Sequence, residues 1–270
     1  MKFLVSNDDG VHAPGLLALA QALSKVGEVK VVAPNNEQSG CSSALSISQP
    51  LYTQQLPSGF IAVNGSPADC VYLALHELYQ DTRFDCVITG INSGANLGQD
   101  VFFSGTFGAA LTAQLFGLPA IATSLVGARI KGDEQDQAHR YQMAADEIVK
   151  LLTETSIVEA FKSLPYHVLN VNIPDVNDAD DIKGRKITCL GHSQIARPVH
   201  HVVDPRGRDA YWLSLRKRQH ESSLETEDIQ SSAINMTDDQ AVAAGYISLS
   251  PVRLHHTPAD TLNTLSALML

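Results

Sequence analysis

Short apolar runs alternate with amphipathic stretches along the first half of the chain, the pattern of a parallel sheet covered by helices on both faces. A first strand is expected at Lys2–Ser6, and a helix follows over 14–26 with Leu16, Leu17, Ala20 and Leu23 on one apolar stripe. A second strand covers 29–33 and ends at Pro34. Ser66-Pro67-Ala68-Asp69 combines a capping Ser, a Pro at the first helical position and an acid three residues after the cap. That combination predicts a helix over 67–79.

A strand at 85–89 feeds a glycine-rich loop over 90–98, and a helix of small residues follows over 106–116. Further strands are expected at 120–124, 168–171 and 187–190, with a helix over 138–155. After about Gly191 the character changes. Arg197-Pro198, Asp204-Pro205-Arg206-Gly207 and Tyr211-Trp212-Leu213 suggest a hairpin rather than a crossover. The polar stretch 219–232 reads as a connection, 245–250 as a last strand and 259–270 as a closing helix. The expected class is α/β: a mostly parallel sheet with helices on both faces, a C-terminal β-hairpin arm and a closing helix. Residues 1–190 form the main domain in this reading, and 191–270 supply the arm, the last strand and the closing helix.

Composition narrows the function. With 270 residues, 44% hydrophobic and 18% charged, the chain has the makeup of a globular protein able to bury a full core. Its formal net charge of −10 argues against a nucleic-acid polymer as partner, because phosphate-backbone binding draws on clustered Lys and Arg. An anionic substrate would then need a local positive centre, and a bound metal is one. The N-terminus turns polar after five residues and no apolar run approaches a membrane span, so a cytoplasmic protein without membrane contact is expected. Cys41, Cys70, Cys86 and Cys189 show no C-x-x-C spacing, which disfavours a zinc cage. P-loop, dinucleotide, zinc-protease and nucleophile-elbow motifs are absent.

In an open α/β sheet, ligands bind beyond the carboxyl ends of the strands. Asp8 and Asp9 follow the first expected strand, Ser39 lies in the loop after the second, and Asn92 follows the strand at 85–89. In a turn, adjacent carboxylates can reach one ion, although either also suits a helix cap. Ser39 alone is a loop serine, and Asn92 also suits a turn. Together, two carboxylates, a hydroxyl and an amide carbonyl form a hard oxygen set suited to Mg²⁺, Mn²⁺ or Ca²⁺. The loop with Asn92 and Asn96 between glycines permits close approach of backbone N–H groups to an anion. Ser104-Gly105-Thr106 then opens a helix, which is a natural phosphate seat and equally an ordinary cap.

The sequence resembles the SurE family of survival proteins along nearly its whole length. The likeness rests on SNDDGVHAPG at 6–15, VVAPNNEQSG at 31–40, VNGSPADCVYLAL at 63–75 and GINSGANLGQDVFFSGTFGAAL at 90–111, with DPRG at 204–207 and GYISLSP at 245–251. The resemblance implies a metal-dependent nucleotidase acting on nucleoside 5'- and 3'-monophosphates, with some members also acting on short polyphosphate. It implies a Rossmann-like fold and a dimer or tetramer built by exchange of a C-terminal arm. Its metal ligands fall on Asp8, Asp9, Ser39 and Asn92, for one divalent ion per subunit, Mg²⁺ or Mn²⁺. Its phosphate-side residues fall on Asn96, Ser104, Gly105 and Thr106. Two departures stand out: the loop before Ser39 reads Asn35-Asn36-Glu37-Gln38 where the family usually carries basic residues, and 219–236 matches poorly.

The expected mechanism is direct attack by water on the phosphoryl group, with Asp8 and Asp9 as the catalytic carboxylates and one of them taking the proton. The D-x-D-x-T pattern of phospho-aspartyl phosphatases is missing. The alternatives are a non-catalytic metal- and nucleotide-binding sensor of the same fold, and a phosphatase acting mainly on sugar phosphates or polyphosphate.

Overall fold

The computed structural model describes residues 1–127, 134–192, 199–213 and 236–254, together with 262 and 266. In chain order its elements are β1 (Lys2–Ser6), α1 (Pro14–Leu23), β2 (Glu28–Pro34), β3 (Thr53–Gln55), β4 (Ile61–Val63) and α2 (Pro67–Leu73). They continue with β5 (Cys86–Ser93), α3 (Gly105–Leu115), β6 (Ala120–Leu125), α4 (Glu134–Glu154), α5 (Ile157–Lys162) and β7 (His167–Ile173). The last are β8 (Arg185–Ile187), β9 (Val199–Val203), β10 (Asp209–Leu213), α6 (Asp238–Ala243) and β11 (Ile247–Arg253).

Nine strands form one sheet in the order β3-β4-β2-β1-β5-β6-β7-β11-β8. The six from β4 to β7 run parallel, while β3 pairs antiparallel with β4 and β11 antiparallel with β7, and β8 adds to β11 in parallel. Counted by appearance, the parallel strands stand in the order 3-2-1-4-5-6, so the sequence direction reverses between β1 and β5. A crevice opens there because the chain leaves β1 and β5 toward opposite faces.

Strand alternation supplies both faces with core. Phe3, Val5 and Ile88 pack on one side with Leu16, Leu19 and Leu23 of α1 and Ala144 and Ile148 of α4. Leu4 and Val87 point the other way, against Cys70 and Val71 of α2 and Ala109 and Ala113 of α3. Every residue of β6 is buried, as a central parallel strand covered on both faces requires.

The cap signature at Ser66 operates as written in the sequence. The Ser66 hydroxyl accepts the Asp69 N–H at 3.0 Å and Asp69 Oδ2 accepts the Ser66 N–H at 2.8 Å, with Pro67 at the first helical position. The helix widens after Leu73 into a single π turn, Ala74–Leu78.

Several expectations need correction. Leu17 is 45% exposed and Leu19 takes its place on the buried stripe, since at 100° per residue position 17 turns away from the face shared by 16, 20 and 23. Gly90–Ser93, expected in the loop, belongs to β5: after a register shift, Asn92 and Ser93 pair with Ser124 and Leu125 of β6. The strand expected at 187–190 lies earlier, at β8, where β11 offers its parallel edge through Ile247 to Leu249. The short elements β3, β4, α5 and α6 carry too little periodicity to be read from sequence.

The hairpin after Gly191 is present as β9 and β10, a two-stranded sheet of its own joined by a turn at 204–208. Asp204 Oδ1 accepts the N–H groups of Arg206 and Arg208 at 2.8 and 2.9 Å and so closes that turn. The connection expected at 219–232 lies outside the described residues, as does the closing helix apart from Leu262 and Ser266, both helical. Among the described residues, no helix is long and apolar enough to cross a membrane.

Candidate functional site

The loops after β1, β2 and β5 meet at the crevice between β1 and β5. A cleft of about 270 Å³ opens there, lined by Asp8, Ser39, Asn92, Asn96, Asp100 and Ser104, with Phe103 at its edge. Four expected metal or phosphate residues from distant parts of the chain thus share one wall with Asp8.

Asp8 is 3% exposed. Thr106, fully buried at the start of α3, donates its hydroxyl to Asp8 Oδ1, and the Asp8 carbonyl accepts the Gln38 N–H at 2.7 Å. Asp9 is less buried, and its Oδ2 accepts the Ser93 N–H at 2.9 Å. Each carboxylate therefore has a fixed orientation set by a different element, α3 for Asp8 and the end of β5 for Asp9.

Ser39 is exposed and donates its hydroxyl to Glu37 Oε1 at 2.8 Å, so its lone pairs stay available. Asn92 donates its amide to the Gly94 carbonyl at 2.8 Å, which leaves the amide oxygen as its ligand end. Both geometries suit a cation acceptor.

The residues expected on the phosphate side lie at the start of α3. Ser104 caps the helix by accepting the Phe107 N–H at 3.0 Å, while the N–H groups of Gly105 and Thr106 fall in the first turn, where no intrahelical acceptor exists. Gly105 permits the close approach: a Cβ there would stand 2.8 Å from Asp8 Cβ and 2.9 Å from Cys41 Sγ. Ser104, Gly105 and Thr106 therefore reach the site by different routes: the Ser104 hydroxyl caps α3, Gly105 offers backbone only, and the Thr106 hydroxyl faces Asp8.

Asn96 is buried and held from behind. Its N–H donates to Asn172 Oδ1 at 2.9 Å, its carbonyl accepts the amides of Asn170 and Asn172 at 2.8 and 2.9 Å, and its own amide donates to Ser124 Oγ at 3.0 Å. Asn170 and Asn172 lie two apart on β7 and share one face, a polar pair inside an apolar strand that sequence reading can notice. Asp100, Phe103, Glu37 and Cys41 carry no comparable sequence signal. Burial, with the Asp8 carboxylate second, pushes the Cys41 thiol up to about 11, which places a neutral thiol beside Asp8.

Among the described residues, no three His, Cys, Asp or Glu side chains converge as a metal cluster. A cation here would rest on two carboxylates and neutral oxygens.

A family model described as "Survival protein SurE" matches residues 3–197. The chain is 76% identical over its full 270 residues, and the full length of the relative, to "5'-nucleotidase SurE" of Psychrobacter cryohalolentis. It is 44% identical to the protein of that name from Acinetobacter baylyi, with 98% of each chain covered. Among solved structures, the SurE protein from Aquifex aeolicus matches with a TM-score of 0.79 at 31% identity, all of both chains being covered.

Proposed function

The chain belongs to the SurE family of survival proteins, and from that premise we propose that it hydrolyses nucleoside 5'- and 3'-monophosphates in the cleft between β1 and β5. It is a 5'-nucleotidase, the activity by which its full-length relatives are named. The observation that carries the site assignment is the meeting of Asp8 and Ser39, from the loops after β1 and β2, with Asn92 at the end of β5, in one cleft with Asn96 and Ser104 at the start of α3.

The residues fit a hard divalent cation. Asp8 brings a deeply buried carboxylate to the wall of the cleft, with the Thr106 hydroxyl on its Oδ1. The described residues lining the cleft include no Lys or Arg. Carboxylate, hydroxyl and amide oxygens suit Mg²⁺ or Mn²⁺ better than zinc. Asp8, Asp9, Ser39 and Asn92 would hold one ion per subunit. Such an ion, when bound, supplies charge to the phosphoryl oxygens and lowers the pKa of water.

The chain's own groups do the remaining work. Thr106 fixes the Asp8 carboxylate and the Ser93 N–H fixes that of Asp9. The first-turn N–H groups of Gly105 and Thr106, with the positive end of the α3 dipole, receive the phosphate. Asn96 keeps one amide hydrogen for the phosphate while Ser124 takes the other. A carboxylate of the Asp8–Asp9 pair accepts the proton of the attacking water as its oxygen bonds to phosphorus; the P–O bond to the nucleoside breaks, and the departing oxygen, on the solvent side, takes a proton from water.

The hairpin supports assembly. Tyr211, Trp212 and Leu213 of β10 and Val203 of β9 are all exposed, more apolar surface than a two-stranded sheet keeps in water. In our reading this arm packs on a neighbouring subunit and makes a dimer or tetramer by exchange.

Purified protein should release phosphate from nucleoside 5'- and 3'-monophosphates with Mn²⁺ or Mg²⁺ and stop on addition of chelator. A parallel panel of sugar phosphates and polyphosphate ranks the substrates. Nucleotide binding without phosphate release would identify a sensor and overturn the proposal.

A further inference from the structure

Asp238, the first residue of α6, is completely buried. Its carboxylate joins two segments distant in sequence: Oδ2 accepts the Gly98 N–H at 2.7 Å, and Oδ1 accepts the N–H groups of Gly191 at 2.8 Å and Asp239 at 3.0 Å. Its own N–H donates to the Cys189 carbonyl at 2.9 Å. The backbones at this joint nearly touch. A Cβ on Gly98 would stand 2.3 Å from the Gly191 carbonyl oxygen, and one on Gly191 would stand 2.5 Å from Asp239 Oδ1.

Gly98 closes the glycine-rich loop two residues after Asn96. The loop is thus anchored twice, by Asn170 and Asn172 of β7 at Asn96 and by Asp238 at Gly98. Hydrogen bonds to a buried carboxylate are stronger than neutral ones, and losing their acceptor leaves N–H groups unpaired in the interior. A loop freed at Gly98 would let Asn96 drift from the start of α3.

We propose that Asp238 is a positioning residue for the nucleotidase reaction, holding the glycine-rich loop where it faces the substrate phosphate. The inference rests on the reading of that loop given under the proposed function. Asp238 is distant in sequence from every ligand and phosphate residue and lies past residue 197, where the family match ends. The same carboxylate holds Gly191, from which the chain leads on toward β9, so the loop and the root of the arm share one anchor.

Asp238→Asn keeps the size of the side chain but turns one of its two acceptors into a donor facing an N–H. The test measures kcat and KM for adenosine 5'-monophosphate, inhibition by inorganic phosphate, and Mn²⁺ affinity by calorimetry. The expected result is a loss of about tenfold or more in kcat/KM, phosphate inhibition weakened by a similar factor, and Mn²⁺ affinity within about twofold of wild type. Wild-type kcat/KM and phosphate inhibition in the variant would overturn the proposal. So would a loss of Mn²⁺ affinity as large as the loss of turnover, which would put the effect on the cation.

Hydrogen exchange in the unaltered protein gives an arm that needs no folded variant. The Gly98 amide should exchange as slowly as the amides of β6, and free exchange there contradicts the proposal. Wild-type protein without phosphate release would instead refute the functional reading, and the exchange result would still decide whether Asp238 holds the loop.

Discussion

The hydroxyl of Thr106, the second residue of α3, donates to Oδ1 of Asp8 across 98 residues of sequence. The proposed phosphate seat and the proposed cation site are therefore mechanically joined: one helix offers the N–H groups assigned to the anion and orients the carboxylate assigned to the cation. Thr106→Val keeps the shape and removes the donor. It should weaken Mn²⁺ binding by about 10–100-fold, the usual cost of losing a partner behind a metal ligand. Calorimetric titration of the variant checks this, and unchanged affinity would show that Asp8 needs no such orientation.

Asp8→Asn and Asp9→Asn each remove a carboxylate from the proposed shell. Each should lose more than the ~100-fold that an outer partner costs, in metal affinity and in kcat/KM alike, while circular dichroism stays that of the wild type. Ser39→Ala should be milder, because water can replace a neutral ligand. An Asp9→Asn protein with normal turnover at low Mn²⁺ would remove Asp9 from the ligand set.

The arm makes a spectroscopic prediction. Trp212 is the only tryptophan of the chain and is 70% exposed on β10. Packing of the hairpin on a second subunit would bury the indole, so emission should be blue-shifted at micromolar protein and shift red on dilution to monomer. Light scattering should report an oligomer that deletion of 191–236 abolishes. A full-length monomer with the emission of a hydrated indole would contradict arm exchange.

Asp238 gives a dependence on pH with a definite sign. Burial raises its carboxyl above the usual carboxylate range, outweighing the lowering by the N–H groups of Gly98, Gly191 and Asp239. The folded protein then holds this proton more tightly than the unfolded chain. The contribution to stability is full below the unfolded value of about 3.9 and is lost as pH rises through the raised folded value. Asp238→Asn cannot ionise. Urea unfolding at several pH values should show wild type losing stability relative to the variant as pH rises, and a relative gain would mean that the backbone donors dominate.

Much of this architecture was legible in the sequence. The cap at Ser66 and Pro67 and the apolar runs of β1, β2, β6 and β7 are local signals, and local signals survive folding. Leu17 reads as buried but is exposed, because a short apolar run does not say which of two adjacent leucines faces inward. Gly90–Ser93 read as a loop because glycine and asparagine disfavour strands, yet β6 offered partners across the register shift. At the site, residues at the carboxyl ends of strands could be gathered by topology alone. What sequence could not give was the support behind them. The contacts of Thr106 with Asp8, Asn172 with Asn96 and Asp238 with Gly98 join residues 98, 76 and 140 apart, and only the fold brings them together.

The most direct test of the account is to locate the cation. Crystals of the protein soaked in Mn²⁺ and measured at a wavelength where manganese scatters anomalously should show one peak per subunit, within coordination distance of Asp8 and Asp9 and bordered by Ser39 and Asn92. A manganese peak bound elsewhere, with none beside these two carboxylates, would contradict it.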